Sequence, residues 1–175
     1  MTVTETQLID WLERSISVVS IIGCLFIILT FSFFPEFRKP MNRLIFYASF
    51  GNICSNIATS IATSGLPERG ASMGLCRLQG FFIQMFMTAD VVWAMFMALN
   101  VFLAFRGYTS QELLNLEVCY NVVAYGVPSI PAIIYLILDL TMDTGIYGPA
   151  TLWCWVSDDY EWLRVGFFYG PALYV

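Results

Sequence analysis

Uncharged apolar blocks, each long enough to cross a bilayer, alternate along this chain with short polar connections. Residues 15–34 carry no charge and are rich in Ile, Val, Leu and Phe; Pro35 and the charged run at 36–39 close the block. Residues 44–64 form a second uncharged block, smaller and more polar in its side chains, that stops at Gly65, Pro67 and Gly70. A third, 78–105, holds one charge, Asp90, and a fourth, 118–138, holds Pro128 and Pro131. A polar loop with Trp153, Cys154 and Trp155 follows, and residues 163–175 open a fifth block. A spanning helix needs about 20 mostly apolar residues to cross roughly 30 Å of hydrocarbon, so the first four blocks are predicted spans. At about 1.5 Å per residue the fifth covers only about 20 Å and reads as an unfinished one. The expected fold is all-α: an integral membrane helical bundle over 1–175, with the lipid bilayer as its first partner and no soluble domain.

Composition agrees with the pattern. The 175 residues are 58% hydrophobic and 12% charged, with a mean hydropathy of +0.71, against roughly 25% charged residues in soluble domains. The net charge is −5 and no basic run occurs, so no nucleic-acid partner is expected. Histidine is absent, which removes the commonest general base and metal ligand. With no Gly-rich phosphate loop and no carboxylate pair converging in the membrane, neither an enzyme nor a bound cofactor is expected.

Orientation rests on lysine and arginine in the short connections. Arg38, Lys39 and Arg43 crowd the first and Arg106 lies in the third, while Arg14, Arg69, Arg77 and Arg164 fall on the opposite side. The totals are equal, so the dense first connection decides, and the chain is expected in the plasma membrane with its N-terminus outside. Nine carboxylates then lie outside and three inside. Thr109-Ser110-Gln111-Glu112 fits a capping box that starts the fourth helix before its membrane entry; Thr4-Glu5-Thr6-Gln7 fits one for the first.

On this topology Cys76 and Cys154 both face the oxidising side, where disulfides persist. They are expected to pair and pin the long loop to the third helix; two unrelated free thiols are the alternative. Cys24, Cys54 and Cys119 read as buried small residues. Asp90 is the ionisable side chain at mid-span, and such residues face the bundle interior and find partners. Gln79 shares its helical face, and Asn52 and Asn56 on the second span sit at a similar depth. These four are candidates for a polar core that senses a ligand or switches between helix arrangements; hydrogen-bond glue at about 0.6–2 kcal/mol per bond is the alternative.

Three segments carry a resemblance. Trp153-Cys154-Trp155 with 164–171, reading Arg-Val-Gly-Phe-Phe-Tyr-Gly-Pro, looks like a second outer loop and the start of a fifth helix; Gly126-Val127-Pro128 looks like a fourth-helix Gly-x-Pro; Trp93 with Ala98-Leu99-Asn100 looks like a third helix. In these the chain resembles the cAMP-receptor-like family (class E) of G-protein-coupled receptors. The resemblance implies a truncated seven-transmembrane receptor fold through the start of helix five, with Cys76 and Cys154 as the outer disulfide. It also implies an extracellular small-molecule ligand, cAMP or a sugar, and coupling to a heterotrimeric G protein at Arg38, Lys39, Arg43 and Arg106. Arg69, Arg77, Trp153, Trp155 and Arg164 are the outer ligand-contact candidates. A non-signalling membrane scaffold, or a small-solute transporter using Asp90, remains as the other reading.

Overall fold

The computed structural model describes residues 3–142, 144–150 and 152–170, with the backbone alone for 3–5. Four helical stretches are apolar and long enough to cross a membrane: Thr6–Phe33, Pro40–Gly65, Met73–Phe105 and Ser110–Met142. Each is longer than the apolar block that predicted it, because polar turns extend the helices beyond the uncharged stretch, capped by side chains at the starts of the third and fourth. The chain is an integral membrane helical bundle, as the hydropathy pattern implies.

Helix α1 (Val3–Phe33) packs along α2 (Pro40–Ile61), and outward side chains such as Val19 and Phe26, each 69% exposed, are left for lipid. Pro40 opens α2 at its first turn, where its missing N–H costs nothing. The third span is built from α3 (Met73–Phe82), a π turn over Ile83–Met87, and α4 (Thr88–Phe105). Ser72 caps α3 by accepting the Leu75 N–H at 3.2 Å. Helix α5 (Ser110–Met142) runs unbroken through Pro128 and Pro131. Its capping box is formed: Glu112 accepts the Thr109 N–H at 2.8 Å, and Thr109 Oγ1 accepts the Glu112 N–H at 3.4 Å. The corresponding cap expected at Thr4 lies among residues whose side chains are outside the described set.

The loop after α5 is not irregular. Strands β1 (Tyr147–Pro149) and β2 (Cys154–Val156) pair antiparallel, with Tyr147 opposite Val156 and Pro149 opposite Cys154. A short helix α6 (Glu161–Arg164) and a π turn over Val165–Tyr169 follow; the rest of the fifth apolar block, including Pro171, lies outside the described residues. Helix α2 is the centre of the bundle, touching α1, α3, α4 and α5. One apolar core joins Ile83, Tyr135, Tyr147 and Val156 at the hairpin end, and another joins Leu44, Trp93, Phe96 and Tyr120 toward the far end.

Candidate functional site

The hairpin is fastened across one end of the bundle from three directions. Cys76 on α3 and Cys154 on β2 form a disulfide, with Cα atoms 5.1 Å apart, and both residues are fully buried. Gln79, one turn along α3, accepts the Cys154 N–H through Oε1 at 3.1 Å. Tyr147 lies against Gly80, where an added Cβ would come within 2.7 Å of the ring, and its hydroxyl donates to Ala132 O on α5 at 3.1 Å. Burial pushes the Tyr147 phenol up from its ordinary range, which keeps it a donor.

Trp155 joins the two π turns. Its indole N–H donates to Gln84 Oε1, in the first turn, at 3.0 Å. Its ring packs edge-on against Phe168 and Tyr169 of the second, and the Arg164 guanidinium lies 5.0 Å over it. Trp155 is therefore a packed strut, while Trp153 is half-buried against the same core.

The cations expected to face outward and meet a ligand are engaged within the chain. Arg69 pairs with Asp10 at 3.2 Å, Arg77 with the fully buried Asp139 at 2.6 Å, and Arg164 with Asp158 at 2.7 Å. Arg164 also donates to Val156 O at 2.7 Å. The Arg69 and Arg77 pairs close sequence separations of 59 and 62 residues and could not be read locally, whereas Arg164 and Asp158 lie only 6 residues apart.

At mid-bundle Asp90 meets α2. Asn52 Nδ2 donates to Asp90 Oδ1 at 3.0 Å and Ser55 Oγ to Oδ2 at 3.2 Å. Tyr125 of α5 completes the crossing: its hydroxyl donates to Tyr47 O at 2.6 Å and accepts the Gly51 N–H at 3.1 Å. Polar groups at this depth have no water to turn to, so such pairing is obligatory. Asn56 and Gln79 are not in this node. The Asn56 amide donates to Asn52 O at 2.7 Å, and Gln79 sits at the hairpin end, bonded to Ala58 O and Ala62 O. Ser55 and Tyr125 were not expected; Ser55 lies three residues after Asn52, on the same helical face, which was the available signal.

At the far end Arg43 holds Glu117 with two bonds, 2.7 and 2.9 Å, tying α2 to α5. Arg38 donates to the last carbonyls of α1, at Phe31 and Ser32. Lys39 stands at the start of α2, and Arg106 ends α4 with its guanidinium 5.9 Å over Phe102. The acidic partner of Arg43 was not expected, since Glu117 lies 74 residues away.

Comparison with known proteins agrees with this architecture. Residues 3–175 match the family described as slime mold cyclic AMP receptor. The chain is 29% identical over 159 residues to cyclic AMP receptor-like protein A of Dictyostelium discoideum, covering 91% of this chain and 39% of that protein. It is 29% identical over 161 residues to cyclic AMP receptor 2 of the same organism, covering 89% and 40%. With G-protein coupled receptor 1 of Arabidopsis thaliana it shares 22% identity over 173 residues, covering 98% and 49%. The chain spans less than half the length of each of these relatives. A match over nearly every residue, on a bundle of spanning helices, settles the assignment: the chain belongs to the slime mold cyclic AMP receptor family.

Proposed function

We propose that this chain forms the first spans and the ligand-facing end of a G-protein-coupled receptor of the plasma membrane. It senses an extracellular small molecule, cAMP or a sugar, and signals to a heterotrimeric G protein. The observation that carries the reading is the hairpin tied by Cys76–Cys154 across one end of a bundle that belongs to a receptor family. Disulfides persist on the oxidising side of a membrane, which supports an outward hairpin. Asp10 of α1 reaches Thr63 and Arg69 at that same end, which supports an N-terminus on the same side as the hairpin. Arg38, Lys39, Arg43 and Arg106 then face the cytosol and the G protein, as lysine and arginine favour.

The self-paired outer arginines bear on the ligand. A phosphate must draw Arg69, Arg77 or Arg164 away from its carboxylate, whereas a sugar needs hydroxyl partners and an aromatic face such as Trp153 offers. Asp90, with Asn52 and Ser55, is the intramembrane node through which helix positions respond.

The test uses a full-length receptor that contains this chain, expressed in cells with an energy-transfer reporter of G-protein dissociation. Addition of cAMP, or of one sugar from a panel, is expected to give a saturable response. Surface-exposed receptor that answers none of them would return the chain to the scaffold reading. Asp90→Asn is expected to shift the half-maximal concentration about tenfold, equivalent to about 1.4 kcal/mol of coupling, with surface expression nearly unchanged. Equal loss of expression and response would make Asp90 purely structural.

A further inference from the structure

The second helix ends on an exchange of hydrogen bonds. In a regular α-helix the Ala62 N–H would donate to Ala58 O. Here it donates to Thr59 O, and Ala58 O is taken instead by the side-chain amide of Gln79, from α3, at 3.0 Å. The same Gln79 Nε2 donates to Ala62 O at 3.2 Å. Its Oε1 holds the N–H of Cys154 in the hairpin.

Ala62 itself is in a conformation that only glycine adopts freely, φ 49° and ψ −140°, and it is fully buried. Among the described residues no other non-glycine has a positive φ. Gly65 lies so close to Gln79 that an added Cβ would stand 2.2 Å from Oε1. From the other side Asp10 of α1 accepts the Thr63 hydroxyl at 2.6 Å and the Thr63 N–H at 3.4 Å. A strained residue is thus held by side chains from α1 and α3, one of which also holds the hairpin.

We infer that Ala62–Gly65 is a conformational switch that the hairpin keeps unwound through Gln79. When the hairpin lifts, Gln79 follows Cys154. Ala62 then returns to the right-handed region, its N–H goes back to Ala58 O, and the Thr63 N–H moves from Asp10 to Thr59 O. The second helix gains a turn. Ala58 O and Thr59 O each have a donor in both arrangements, so two discrete states are available rather than a gradual deformation. The consequence rests on the reading of the hairpin as ligand-facing: a molecule that favours one hairpin position biases α2, whose preceding turns carry Asn52 and Ser55 to Asp90.

The test needs no ligand, so it can fail while the receptor reading stands. The chain is melted in lipid nanodiscs, followed by tryptophan fluorescence. Ala62→Gly is expected to raise the melting temperature by about 2–4 °C, because glycine accepts the positive φ without strain. With Gln79 displaced, by Gln79→Leu or by Gly65→Ala, the same substitution is expected to lower it by a similar amount, because glycine then interrupts a helix. This reversal of sign is the signature of the switch. Ala62→Gly acting with the same sign in both backgrounds overturns the proposal. Should neither background fold, reduction of Cys76–Cys154 supplies the third comparison. The advantage of glycine is then expected to shrink or reverse, and an unchanged advantage overturns the proposal.

Discussion

Single side chains set the cost of taking this bundle apart at its far end. Glu117 is 7% exposed and its carboxylate is held by Arg43 through two parallel bonds. Arg43 keeps a third of its side chain accessible, so the pair is worth less than a fully buried one. Arg43→Gln leaves the carboxylate half-satisfied, and a loss of about 2–3 kcal/mol is expected, below the ~3–5 kcal/mol of a fully buried broken pair. Thermal melts in nanodiscs read the loss, and Arg43→Gln with Glu117→Gln should recover part of it. A double variant no better than the single one would mean that the pair is not the unit of stability. The same logic separates Asp90 from its surroundings: its carboxylate is satisfied by neutral donors from one helix, so Asp90→Asn keeps the shape and changes the charge.

The hairpin is the element that gives the structure its asymmetry. It fits because α3 presents Gly80 where Tyr147 approaches, and Gly80→Ala forces the ring or the hairpin outward. Overpacking of this kind costs about 1–3 kcal/mol, and the displaced hairpin should expose Trp155, seen as a red-shifted tryptophan emission. Unchanged emission with an unchanged melting point would show that the ring gives way without cost. Helix α5 behaves differently. Pro128 is fully buried and the helix continues through it, so both prolines are accommodated within one element. The π turns over Ile83–Met87 and Val165–Tyr169 are where local register departs from a plain helix, a common mark of functional segments. Trp155 touches both of them.

For the whole molecule, the disulfide closes a separation of 78 residues. Chain entropy alone values such a crosslink at about 4–5 kcal/mol, and less here because inserted helices are already confined. Non-reduced peptide mapping is expected to find Cys76 joined to Cys154, and reduction to lower the melting temperature; free alkylation of both thiols in the native membrane would rule out the pair. The four spans were legible because a bilayer imposes a length on apolar blocks, and the capping box because its partners are three residues apart. Gln79 was legible as buried but not in its contacts, since its three partners lie on α2 and β2. The hairpin was hidden because Tyr147 and Val156 are buried by α3 and α5 rather than by any local alternation. The disulfide also keeps time during synthesis. Cys76 leaves the ribosome 78 residues before Cys154, which at about 5–20 residues per second is a wait of roughly 4–16 s. Within that interval the third span is completed while its thiol stays open to oxidation by the wrong partner, so the bond records that the chain has been delivered as far as the hairpin.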